Sequence, residues 1–112
     1  MADILNEFGQ ALIAQTRDKT IVRFEKMVDG SLKTISAKKV QEMLAGFSGE
    51  QLVAVEWLIP QIVDSCLHNF LTMCDEENMD ILYDGGSVKE NCDGLANELF
   101  KADGWIDKFS SK

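Results

Sequence analysis

One proline, one histidine, one tyrosine and eight glycines are all that this chain of 112 residues holds of those types. So few breakers leave no room for a flexible linker, and the length suits one domain, residues 1–112, with enough apolar side chains (46%) for a core. Long apolar runs are also missing. The longest, Leu52–Ile59, is interrupted by Glu56 and stops at Pro60, short of the roughly 18 residues a membrane-spanning helix needs. The first residues carry acid rather than a basic stretch followed by an apolar core, so no signal peptide is read there. A cytoplasmic protein with no membrane role is the expectation.

Cysteine is scarce and unpatterned. Cys66, Cys74 and Cys92 cannot all pair within one chain, and none stands in a C-x-x-C spacing, which argues against a zinc knuckle or a redox couple. Cys66 and Cys74 lie among Leu67, Phe70, Leu71 and Met73 and are expected to be reduced thiols in or near the core.

Positive charge is missing from the second half. Residues 1–47 carry seven Lys/Arg against six Asp/Glu, whereas residues 48–112 carry four Lys, no Arg and thirteen Asp/Glu. Almost the whole net charge of −8 therefore belongs to the C-terminal part. Such a field repels nucleic acid and anionic membrane and speeds encounter with a basic partner; it also simply keeps a protein soluble.

What the chain does have is helical periodicity. Asp3 can cap a helix through Ile4, Leu5, Phe8, Ala11 and Leu12. With neither proline nor glycine between Gln10 and Asp29, that helix is expected to continue through Ile21, Val22, Phe24, Met27 and Val28 to a left-handed stop at Gly30. Arg17, Lys19, Arg23 and Lys26 lie along it, but the interleaved Asp18 and Glu25 favour a solvated face over a phosphate site. Ser36 can cap a short helix through Val40, Met43 and Leu44, ended by Gly46.

The stretch from Ser48 to about Asn78 is the centre of the chain. Ser48 and Gln51 fit a capping box. Leu52, Val55, Ile59, Ile62, Cys66, Phe70 and Met73 form one apolar stripe, and Val63, Leu67, Leu71 and Cys74 widen it, as in a central helix touched from several sides. Pro60 removes an amide donor, so either one helix kinked at Pro60 or two helices meeting there is expected, the former being preferred. The fold class is thus mainly α, a single-domain bundle around this long helix, with a small β-hairpin near residues 80–90.

Asp64, Ser65, His68, Thr72 and Asp75 are expected opposite the apolar side. Asp64 and His68, four apart, can share a face, either as a general base with its orienting acid or as two metal ligands; an ordinary surface or helix-packing pair is the plainer reading. No nucleophile or third ligand stands at a telling distance. A calcium loop begun at Asp80 puts Leu82 third and Asn91 twelfth, and one begun at Asp75 puts Met79 fifth, so both registers fail. Gly85-Gly86 lacks the lysine of a phosphate-binding loop; with Asp84 it reads instead as a hairpin turn between Ile81–Tyr83 and Ser87–Lys89. No catalytic, cofactor-binding or metal-binding residue is assigned, and no cofactor is implied.

Asn91–Ala102 reads as a further helix with Leu95, Leu99 and Phe100 inward, capped by Asn91 or Asp93. Trp105, Ile106 and Phe109 form a final apolar cluster, expected to fold back on the long helix. Trp105 is then either a core residue, the preferred reading, or the anchor of a binding patch.

Three segments, H-N-F-L at His68–Leu71, D-G-L-x-x-E-L-F at Asp93–Phe100 and D-G-W-I-x-x-F-S at Asp103–Ser110, resemble a family of small, acidic, uncharacterised bacterial proteins. The resemblance supplies no catalytic motif to carry over. By class association it points to immunity or antitoxin proteins. Three functions follow as expectations: a non-enzymatic interaction protein for a basic partner; a small enzyme or metal protein using Asp64 and His68 with nearby carboxylates; and a homodimer joined by apolar faces of the long helices.

Overall fold

The computed structural model describes residues 3–112. Asp3 accepts the Asn6 amide at 3.2 Å and opens α1 (Ile4–Leu12). The chain then continues without a break through a π-helical segment (Ile13–Asp18) into α2 (Lys19–Asp29). One unbroken rod is what the absence of proline and glycine between Gln10 and Asp29 predicted. Gly30 ends it at φ 86°, a conformation costly for any residue with a Cβ.

Helix α3 (Ile35–Leu44) is capped by Thr34, whose hydroxyl accepts the Ala37 amide, rather than by Ser36. The cap lies two residues earlier because Thr34 is the last residue with extended backbone. Gln41 ties α3 to the end of α2 by donating to the carbonyls of Met27 and Leu32.

Helix α4 (Gly49–Glu76) spans 28 residues, about 42 Å at 1.5 Å per residue. Its N-terminus carries the full capping box: the Gln51 amide donates to Ser48 Oγ, and the Ser48 amide donates to Gln51 Oε1. The helix runs through Pro60 as a single element. At its other end Lys89 Nζ donates to the carbonyls of Cys74, Asp75 and Met79, a cation placed where the helix dipole is negative.

A two-residue hairpin follows, β1 (Leu82–Tyr83) against β2 (Gly86–Ser87), with Tyr83 opposite Gly86. Asp84 and Gly85 turn it with φ of 51° and 83°, the two positive values that a type I′ turn demands. Strand pairing is shorter than the expected Ile81–Tyr83 and Ser87–Lys89, because Lys89–Asn91 turns into a 3-10 helix. Helices α5 (Leu95–Phe100) and α6 (Trp105–Phe109) close the chain. The fifth helix starts later than the expected Asn91, and neither Asn91 nor Asp93 caps it. Asp75 does so from α4, accepting the amides of Leu95 (3.0 Å) and Ala96 (3.1 Å).

The core is formed by Ile13, Leu67, Leu71, Cys74, Val88, Leu95, Leu99 and Trp105. Trp105 is 0% exposed and lies with its pyrrole edge on Gly9, while Phe8 meets it edge-on at 5.6 Å. The tail therefore docks mainly on α1 and the π segment. Among the described residues no helix is long and apolar enough to cross a membrane.

Candidate functional site

Asp64 and His68 do not form the expected pair. Both sit on the packed side of α4, half-buried, instead of opposite it. Asp64 accepts from Arg17 Nε at 2.6 Å and from Arg17 Nη2 at 3.2 Å, a two-pronged bond across 47 residues. His68 instead stacks on Phe100, ring centroids 5.5 Å apart, beside a depression shared with Ser65 and Asn69. Phe100, expected inward, is half exposed there, because Leu95 and Leu99 take the inner side of α5.

Arg17 is the hub of the only network that links three distant parts of the chain among the described residues. Besides Asp64, its Nη1 donates to Asp18 at 3.1 Å and to Ser110 Oγ at 2.7 Å. Asp18 in turn accepts Ser110 Oγ and the backbone amide and hydroxyl of Ser111. Burial pushes the Asp18 carboxyl up, but the bonds from Ser111, Ser110 and Arg17 outweigh it and hold the group below the ordinary aspartate range. Burial likewise works against the Arg17 cation, and the two carboxylates more than restore it. This arrangement is a structural clamp on the C-terminal tail. Every polar atom at its centre is already committed within the chain.

The acids interleaved with the cations of α2 are paired, Asp18 in the clamp and Glu25 with Lys112 at 3.1 Å. Lys19, Arg23 and Lys26 line a shallow depression of about 600 Å³ together with Asp18. No three His, Cys, Asp or Glu side chains converge as a metal would need, among the described residues.

Two surfaces remain. The first is the acidic end built by residues 75–95. Its one lysine, Lys89, is spent on carbonyl oxygens, and Asp75 and Asp80 are held by the Leu95 and Ala96 amides and by Ser87. Glu76, Glu77, Asp84, Glu90 and Asp93 stand exposed, and among the described residues none of them makes an ion pair.

The second surface is the outer side of α4. Of the expected stripe, Ile62, Cys66, Phe70 and Met73 face solvent; Val63, Leu67, Leu71 and Cys74 are the residues packed on the body. Cys66 is therefore an exposed thiol, whereas Cys74 is buried. Outward, two neighbouring rows at steps of four run the length of the helix. One is Ala54, Leu58, Ile62, Cys66 and Phe70; the other is Val53, Trp57, Gln61, Ser65, Asn69 and Met73. All are exposed and none is charged. Trp57 at 65% and Ile62 at 62% stand out, and the solvent-exposed tryptophan is Trp57, whereas Trp105 is a core residue. The sequence signal for this face was the absence of any charge between Trp57 and Cys74 other than Asp64.

Compared with protein-family models, with curated proteins and with solved structures, the chain finds no match.

Proposed function

We propose that this protein is a non-enzymatic interaction module that holds a basic protein partner at its acidic end, in the manner of an immunity protein or antitoxin. The observation that carries the reading is the group of five exposed carboxylates, Glu76, Glu77, Asp84, Glu90 and Asp93, left without a counter-cation by a segment whose single lysine is used internally. Such a surface attracts a basic partner over several ångströms and orients it before contact. Chemistry at Asp64 and His68 has less support, since Arg17 occupies both oxygens of Asp64 and His68 lies on Phe100.

The test is capture from the native host at low and high salt, with a charge-reversed variant as control (Glu76, Glu77, Glu90 and Asp93 each→Lys). The wild type should recover a basic protein at low salt and release it as salt rises, and the variant should recover none. Recovery of the same protein by the variant, or of no basic protein by the wild type, refutes the reading.

A further inference from the structure

We infer that a second copy of this chain covers the uncharged outer face of α4, making a symmetric dimer in which the two long helices cross. This is independent of the acidic end and uses a different surface.

The molecule has more surface than its size calls for. Folded monomers of 12.5 kDa expose about 6,200 Å², and this chain exposes 7236 Å², an excess of about 1,000 Å². Its radius of gyration is 16.6 Å where about 13 Å is usual for the length, with extents of 50 × 27 × 25 Å. A stable interface takes about 800 Å² from each partner. The surplus is that of a protomer rather than of a self-sufficient monomer.

Chemistry selects the occupant. Each copy carries −8, nearly all of it on residues 48–112, so the C-terminal parts of two copies repel wherever their carboxylates meet. Within that acidic part the outer face of α4 is where they would not, because both rows are free of charge from Val53 to Met73. A basic partner gains nothing from that face, which offers it no carboxylate. Burial of apolar area is what the face can supply.

Side-chain size selects the geometry. Rows at steps of four pack into their own grooves when helices cross at about −50°, so the axes are close at the centre and diverge towards the ends. Such a pair needs small residues at the point of closest approach. Ser65 and Cys66 are the small pair near the centre of the face, with Gln61 and Ile62 on one side of them and Asn69 and Phe70 on the other. A two-fold axis at Ser65–Cys66 brings those small side chains together and sets the larger ones around them.

Sedimentation and light scattering of the purified chain from low to hundred-micromolar concentration test the inference. The expected mass is twice 12.5 kDa. Dimerisation should strengthen as salt rises, since salt screens the repulsion between two acidic copies; capture of a basic partner weakens under the same change. Ile62→Glu, at an exposed position, should keep the helical circular dichroism and weaken the dimer at least about a hundredfold, because each interface would bury two carboxylates. Ile35→Glu, at a still more exposed position on α3, should leave the dimer intact. In a Cys92→Ser background a short bismaleimide should link Cys66 to Cys66 across copies, and this decides the matter should Ile62→Glu fail to fold. A monomer at every concentration and salt, a folded Ile62→Glu that stays dimeric, or no Cys66 cross-link in concentrated protein overturns the inference.

Discussion

Arg17 and Asp64 meet through two hydrogen bonds, of 2.6 and 3.2 Å, and so fasten the π segment to the middle of α4. The guanidinium is buried and the carboxylate nearly so, with 6% and 15% of their side chains exposed. Removing Asp64 leaves the Arg17 cation with Asp18 as its one remaining carboxylate and two of its N–H groups unpaired in a low-dielectric site. Asp64→Ala should therefore cost about 1.5–3 kcal/mol in urea unfolding. His68→Ala, which removes a ring stacked near the surface, should cost no more than about 1 kcal/mol. A loss at His68 as large as that at Asp64 would show that the ring stacked on Phe100 holds the fold as firmly as the Arg17–Asp64 pair does.

Acid should release the C-terminal tail. The Asp18 carboxyl is held below its ordinary value, so its contribution to stability is complete above an unfolded-state value of about 3.9 and is lost as pH falls through the lower folded-state value. Protection of the Ser111 amide, its exchange measured against the unstructured rate at each pH, should fall only below the ordinary aspartate range. Asp18→Asn should remove that step while leaving the exchange of core amides in α4 unchanged.

Gly9 is the floor on which Trp105 rests, and a Cβ there would enter the indole ring. Trp105 is fully buried and held by Phe8, so it has nowhere to go. Gly9→Ala should destabilise by about 1–3 kcal/mol despite the better helix propensity of alanine, seen as a lowered Tm. A Tm at or above the wild type would show that the tail is free to shift.

The three thiols should label in a fixed order. Burial, and then the carboxylates nearby, raise Cys74 and Cys92 above the ordinary thiol value, whereas Cys66 faces solvent. Under limiting iodoacetamide at neutral pH, peptide mapping of dilute protein should find Cys66 modified first. Concentrating the protein should slow that reaction as the second copy covers the site.

Asp75→Ala should loosen α5 alone. Both oxygens of Asp75 cap the amides of Leu95 and Ala96, and Gly94 supplies no side-chain cap of its own. A loss of about 0.5–2 kcal/mol is expected, with faster exchange at those two amides and little change in α1–α3.

Interactions within a few residues were legible from the sequence: the caps at Asp3 and Ser48, the Ser48–Gln51 box, the left-handed Gly30 and the Asp84-Gly85 turn. Each depends on side chains and backbone no more than four positions apart, so residue type and spacing suffice. The mainly α class and the long central helix followed from the same local periodicity. Which side of that helix is inside did not. Leu52 to Met73 carries apolar residues on more than one side, and Asp64 and His68, expected outside, lie on the packed side; only the arrival of α1, α5 and α6 buries Leu67, Leu71 and Cys74 while leaving Trp57, Ile62 and Phe70 in water. The partner of Asp64, 47 residues away, and the cap that Asp75 provides 20 residues away were decided in the same manner. Periodicity names a face only where one side of a helix is polar; on a helix apolar on both sides, the choice belongs to whatever chain is left to cover it.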